Sequence, residues 1–442
     1  MLETVVSTLR KQEGVDDWLA RHVRKTSTQH YVIGSDPESE REVTSERVIV
    51  TVMNDHPSSS GDQGSVRGEA QVTLLPTDLQ QLELKLADAV FMASLTDNPT
   101  YAPAGPAEYP AVELADPEMR NAPRLVAQRM VEQLTQAVDN EKGVRLSSAE
   151  VFVEESHIAT ETSRGARAQQ IQTDLLLDFV LLAAGGDDEM EAQIAFKRRR
   201  AEDLDVPAMV RRQAQYARDA LAAATPKTGT FPVVVSDDAL QELLMSEGYS
   251  PLVLLSSGQL KYQQLTTWEA SRSIHPQEPT GDPFTLYSNA LLPFGTRSYS
   301  FDGDGLPGQR VPIIESGVLS RFRASNRYAQ YLQIDATGQF GNMEIDTGSV
   351  PFASLLEDSG PLYHIVAFSA MGPDPITGDF VGEIRLGYEI EAGRARPIRG
   401  GSISGNLMAA LATATLSQES TFLGDYLGPR AMRFPQITVA GS

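Results

Sequence analysis

The sequence predicts an α+β protein: an N-terminal α/β region of two similar helix–strands–helix subdomains, followed by a C-terminal β-rich domain. Three observations carry this. Apolar residues at helical spacing give way to alternating segments and then to a second helical stretch, and the plan occurs twice before residue 225. The connector Thr225-Pro-Lys-Thr-Gly-Thr230 then marks a change of composition. Beyond about residue 283 the chain is dense in Gly and Pro with short apolar segments between, the pattern of strands joined by long loops. The boundaries read as 1–112, 113–224 and 225–442.

Residues 2–24 read as helix, with apolar Val5, Leu9, Val15, Leu19 and Val23. Alternating segments follow at His30–Gly34, Arg47–Met53 and Ser65–Leu75, the last stopped by Pro76. A second helix, Thr77–Ser94, places Leu79, Leu82, Leu86, Ala89, Val90 and Ala93 on one face. After the Pro-rich connector 98–112, Asp116-Pro117 caps a helix to about Asn140. Strands are expected at 144–155, 167–182 and 190–197, with loops at Asn54–Gly64 and Gly185–Glu189, then a helix over Val206–Ala224. Phe231-Pro-Val-Val-Val235 reads as a buried strand, and Ser236-Asp237 as the cap of a short helix to Met245. A last helix near Gly405–Leu416 carries Asn406, Ala409, Ala410 and Ala412, residues small enough for close packing.

The chain has 442 residues, 41% hydrophobic and 22% charged, with net charge −22. So acidic a surface repels nucleic acid and anionic membrane, and neither is expected as a partner. The longest apolar stretch, Leu175–Ala184, is too short to span a bilayer and contains Asp178. The N-terminus lacks a basic start followed by an apolar core, so no secretory signal is expected, and cytoplasm is the default location. With no cysteine, disulfide and thiolate chemistry are excluded and sulfur is absent from any metal site.

The six histidines, His22, His30, His56, His157, His275 and His364, show no pair at helical metal-binding spacing. Gly303-Asp-Gly305-Leu-Pro-Gly308 matches GxGxxG literally, yet Pro307 interrupts it and Arg310–Glu315 reads as a strand rather than a helix. A turn between strands fits better than a dinucleotide site. Calcium at Asp302 and Asp304 lacks the downstream bidentate glutamate. The basic run Lys197–Arg200 is followed by Glu202, Asp203 and Asp205, so it reads as a solvated, locally neutralised helix start. Glu154 and Glu155, near His157, point to opposite faces of a strand and read as surface rather than as an acid/base set. The densest turn signal is Gly372-Pro-Asp-Pro-Ile-Thr-Gly-Asp-Phe380, a shaped loop of the kind that carries binding sites.

Five C-terminal segments occur in a fixed order: Arg297–Pro307, Ile313–Leu319, Met371–Phe380, Ile403–Leu407 and Pro435–Gly441. Together they resemble the TldD/PmbA family, once called modulators of DNA gyrase. Looser agreement extends to Leu114–Glu118, Ser163-Arg-Gly165 and Phe231–Val235 leading into Leu243-Leu244. TldD-type members carry HExxxH after the strand matching 231–235 and a C-terminal cysteine. Here, with Glu247 on the motif glutamate, Ser246 and Pro251 stand where the histidines would be, and no cysteine is available. The resemblance is therefore to the TldE/PmbA type, the subunit without the zinc motif.

That resemblance implies a subunit of a metallopeptidase complex, without catalytic residues, metal or cofactor of its own. Zinc would belong to a TldD-type partner. The two would form a heterodimer, or this chain a homodimer when alone, enclosing a chamber in which unfolded peptide is cut. The residues expected to line it are Phe301, Asp302, Gly303 and Gly305 in one loop. Gly372, Pro373, Thr377, Gly378, Asp379 and Phe380 in the other loop join them, with Asn406 beside it. Two other readings are a stand-alone homodimeric peptidase or amidase, and a peptide-binding protein with no enzymatic partner.

Overall fold

A computed structural model describes residues 1–58, 64–185, 188–245 and 250–441. Helix α1 (Leu2–Leu9) leads into three antiparallel strands, β1 (Asp17–Ile33), β2 (Asp36–Pro57) and β3 (Ser65–Leu74). A 3₁₀ turn, Pro76–Gln81, then opens α2 (Leu82–Ala93). The plan recurs in α3 (Pro117–Asn121), α4 (Pro123–Asp139), β4 (Val144–Thr162), β5 (Arg167–Gly185), β6 (Asp188–Arg198) and α5 (Val206–Leu221). Pro123 explains the break between α3 and α4: it forces Ala122 out of helical geometry, to φ −144° and ψ 55°.

The two units share one sheet, in the order β3-β2-β1-β4-β5-β6, because β1 and β4 pair antiparallel from Leu19↔Thr162 to Ile33↔Ser148. Each unit's helices cover the same kind of apolar strand face. Val48, Val50 and Val52 pack under α1 and α2, while Val151, Val153, Leu175, Leu177 and Phe179 pack under α4 and α5. The helix expected over 2–24 stops at Leu9. Gly14, at φ +80°, lies in the left-handed region and turns the chain into β1. Val15, Leu19 and Val23 misled because a spacing of four fits a helix face and a strand face equally.

The C-terminal part begins with β7 (Gly229–Ser236), α6 (Asp237–Leu244), α7 (Pro251–Leu255) and α8 (Gly258–Tyr262). Next come β8 (Leu286–Asn289), β9 (Arg310–Glu315), β10 (Val318–Leu319), α9 (Asn326–Leu332), β11 (Asn342–Ile345) and α10 (Phe352–Leu355). They are followed by β12 (Leu362–Pro373), β13 (Asp379–Glu391), β14 (Arg394–Ile398), β15 (Ser402–Asn406) and α11 (Leu407–Leu411). The chain closes with β16 (Thr415–Leu416), β17 (Ser420–Phe422), β18 (Tyr426–Pro429) and β19 (Ala431–Ala440). One sheet runs β12-β7-β19-β15-β13-β14, and β12 also pairs with β13, which closes five of these strands into a barrel-like ring. The other runs β10-β9-β8-β11-β18-β17. β7 lies between β12 and β19, so Val233, Val234 and Val235 are all fully buried, as a continuous apolar run requires.

The Lys197–Arg200 run corrects the expectation of a solvated helix start. It closes β6, and Arg198 and Arg199 are buried. Arg199 donates to the carbonyls of Ser298 (2.9 Å) and Thr296 (3.0 Å), tying the N-terminal sheet to the C-terminal part. Only Arg200 is neutralised locally, by Glu202 and Asp203.

Candidate functional site

Between the two parts lies a groove of about 1120 Å³. One wall is Glu191–Ala195 of β6 with Tyr216 and Ala220 of α5; the other is Val366–Pro373 of β12 with Arg385, and α6 contributes Asp238 and Gln241. β6 is the last strand of its sheet and pairs only with β5, so its outer edge carries unpaired backbone groups. β12 pairs with β7 only over Tyr363–Ile365; from Val366 onward it pairs with β13 alone. Two strand segments, β6 and Val366–Ala370 of β12, thus line one groove with no further strand among the described residues paired beside them.

Polar groups reach the groove from β6, α5, α6 and β13, among them Glu191, Tyr216, Asp238 and Arg385. Burial pushes the Asp238 carboxyl above its usual range, although the Arg212 guanidinium lies 2.9 Å away and opposes the shift. Tyr216 is raised to about 12 by burial. Tyr388 donates to Asp219 (2.7 Å), joining β13 to α5 across the boundary between the parts. None of Asp238, Arg212 or Tyr216 stood out in the sequence, because each sits in an ordinary helical pattern. The groove lining contains no histidine, and among the described residues no group of three His, Cys, Asp or Glu is placed to hold a metal. That donor set does not fit a zinc ion. Each histidine has a local partner: His22 lies 2.9 Å from Glu46, His30 3.5 Å from Glu40, and His157 beside Glu155. His56 meets the carbonyl of Pro57 and His275 that of Met408.

His364 lies 2.8 Å from the Ser236 hydroxyl, and burial lowers its pKa to about 4. Ser236 was expected to cap α6. Its backbone does sit at the helix start, but its hydroxyl goes to His364 and makes no cap bond. Of the residues aligned with the zinc motif, Ser246 and Glu247 lie outside the described residues. Pro251 opens α7, a first-turn position that suits proline.

The two loops expected to line one chamber border different cavities. Gly372 and Pro373 do border the groove. Thr377, Gly378 and Asp379 form the tip of the β12–β13 hairpin, where Gly378 takes φ +76°. Asn406 pins that tip by donating to the Thr377 carbonyl (2.8 Å) and Asp379 (2.9 Å), while its own oxygen caps α11 through Ala409 N–H (3.2 Å). Phe380 is buried against Gly405. In the other loop, Phe301 and Asp302 are buried, and Asp302 accepts three backbone N–H groups, from Asp304, Leu306 and Gln339. Gly305 turns at φ +84° and its carbonyl accepts from Tyr109. Gly303 alone of that set borders a cavity, a second one against β1 and β2. The groove is therefore built by β6 and β12, with Gly372, Pro373 and Pro375 of the second motif at its border and Gly303 of the first beside a separate cavity.

Residues 228–441 match the family described as the PmbA/TldA metallopeptidase C-terminal domain. The chain is 27% identical to the metalloprotease PmbA of Escherichia coli O157:H7 over 52% of its own length and 50% of that protein. It is 26% identical to a metalloprotease of Archaeoglobus fulgidus over 48% of its length and 51% of that protein. These matches span about half the length of the curated relatives. In fold, the chain resembles the crystal structure of TldE from Thermococcus kodakarensis, with TM-score 0.83 at 17% identity over 99% of this chain and 100% of that one. Among the described residues no helix is long and apolar enough to cross a membrane. The ordered C-terminal motifs and the matched domain place residues 228–441 in the PmbA/TldD family, and the whole chain is similar in fold to TldE.

Proposed function

We propose that this chain is a TldE/PmbA-type subunit that holds extended, unfolded peptide while a TldD-type zinc subunit cleaves it, in the cytoplasm. The observation that carries this reading is that β6 and the Val366–Ala370 stretch of β12 line one groove of about 1120 Å³, with no strand among the described residues paired to their groove-side edges. An extended peptide can add to a free edge through main-chain hydrogen bonds, which recognise backbone and leave side chains little discriminated. The chain's own residues would then bind and orient, and the bond-breaking chemistry would belong to the partner. Among the described residues its groove lining contains no histidine, and no catalytic step is assigned to it.

The test is fluorescence anisotropy with a labelled unfolded peptide and the same peptide N-methylated at alternate residues. Backbone pairing predicts that N-methylation weakens binding by at least about tenfold, while scrambling the sequence changes it little. Ala370→Trp, placed on the groove wall, should weaken both scrambled and parent peptides alike. Equal affinity for the parent and N-methylated peptides would overturn the edge-pairing account.

A further inference from the structure

A second cavity, about 330 Å³, lies between the open face of the N-terminal sheet and the C-terminal part. Its walls are strands β1, β2 and β3 on one side, and Gly303, Asp304 and the start of α9 on the other. It is separate from the peptide groove and shares no lining residue with it. At the share of liquid volume a water occupies it holds about ten waters, which places it at the small end of ligand sites.

Two arginines border this cavity and they differ. Arg327 is fully engaged: it lies 3.3 Å from Glu69, donates to Asn98 (2.6 Å) and to the Tyr331 hydroxyl (3.1 Å), and stacks over Tyr101, Tyr328 and Tyr331. Arg21 has no hydrogen bond and no ion pair among the described residues, and its Nε is buried without a partner. Its nearest acid, Asp302, is already saturated by three backbone amides and is raised to about 6 by burial, so it neutralises Arg21 poorly. Nearby Arg47 adds repulsion. A guanidinium with five donors, partly desolvated and without an acceptor, calls for an anion of the fork-matching kind.

The rest of the lining narrows the class. Asp304 uses Oδ2 to accept from Asn326 N–H (3.1 Å), and among the described residues Oδ1 makes no hydrogen bond. Asp304 is the carboxyl on the wall opposite β1, while Glu69 is already held by Arg327 and Tyr101. Burial pushes the Asp304 carboxyl above its usual range, so an ammonium group beside it would restore its charge while a doubly charged phosphate would not. Thr51, Gln71 and Gln339 add neutral polar groups to the lining. We propose that this cavity binds a small amino carboxylate, a free amino acid or a molecule of that size, with its carboxylate on Arg21 and its ammonium group toward Asp304. The site is independent of the peptide groove and stands whether or not that groove holds peptide.

The experiment is isothermal titration of the full chain with L-alanine, acetate, ethylamine and inorganic phosphate. L-Alanine should bind saturably with a Kd of about 1 mM or tighter, and at least about tenfold better than acetate or ethylamine, since each of those carries only one of the two charges. Arg21→Gln, with its fold checked by circular dichroism, should weaken L-alanine binding at least about tenfold. Absence of saturable L-alanine binding overturns the proposal, as does phosphate binding more tightly than L-alanine. Unchanged L-alanine affinity in a folded Arg21→Gln protein overturns it too. If that variant fails to fold, the ranking of the four probes on the unaltered chain decides the matter.

Discussion

Replacing Arg199 with alanine removes the side chain that joins the end of β6 to the segment before β9. In the intact protein the guanidinium donates to the carbonyls of Ser298 (2.9 Å) and Thr296 (3.0 Å), and reaches Gln172 at 3.4 Å. Truncation leaves two inward-facing carbonyls without their donor, at about 1–3 kcal/mol each. Against this, a buried cation with only Asp174 nearby no longer needs to be desolvated, which returns part of the loss. The net destabilisation is about 3 kcal/mol. Arg199→Lys keeps the charge but lacks the planar fork, so one ammonium cannot serve both carbonyls, and it should fall between the two. Urea unfolding followed through Trp18 in the N-terminal sheet and Trp268 in the C-terminal part reads the effect on both sides of the junction. The midpoint should drop with little change in slope. An Arg199→Ala protein within about 0.5 kcal/mol of the parent would refute the idea that this arginine ties the two parts together.

Two other perturbations follow from the same structure. His364 is held neutral by burial, with its pKa lowered to about 4, so the unfolded chain takes up a proton that the folded chain refuses. Its contribution is complete above pH 6.5 and is lost as pH falls toward 4, by at most about 3 kcal/mol. His364→Gln should flatten that part of the stability–pH curve, and an unchanged slope would show that other groups set it. Asn406→Ala removes the α11 cap and both bonds to the hairpin tip, for a loss of about 1–2 kcal/mol in thermal or urea unfolding. An Asn406→Ser protein, which can still cap, should recover part of that loss.

Much of the fold could be read from the chain because local patterns coincide with it. The doubled helix–strands–helix plan, the buried run at Val233–Val235 and the strand at Arg310–Glu315 all follow from periodicity and punctuation. Failures arose where one pattern fits two structures. Val15, Leu19 and Val23 satisfy a strand as well as a helix, and only Gly14 marks the change. Arg199 looks like solvated charge because its acceptors are main-chain carbonyls about a hundred residues away, which no side-chain pattern announces. The groove was invisible for a related reason. Its edges belong to β6 and β12, whose free backbone is defined by which strands do not pair beside them. The turn motifs were conspicuous in sequence because they are turns. In the structure Asp302 organises one turn and Asn406 pins the other, and Gly372 and Pro373 also border the groove.

The central claim is that this chain holds peptide and leaves cleavage to a zinc-bearing partner. The most direct measurement is zinc content and cleavage of an unfolded peptide by the purified chain, alone and mixed with a TldD-type protein at micromolar concentration. The account predicts no bound zinc and no cleavage for the chain alone, one heterodimer peak on mixing, and cleavage that a chelator abolishes. Chelator-sensitive cleavage by the chain alone, or separate elution of the two proteins, would contradict it.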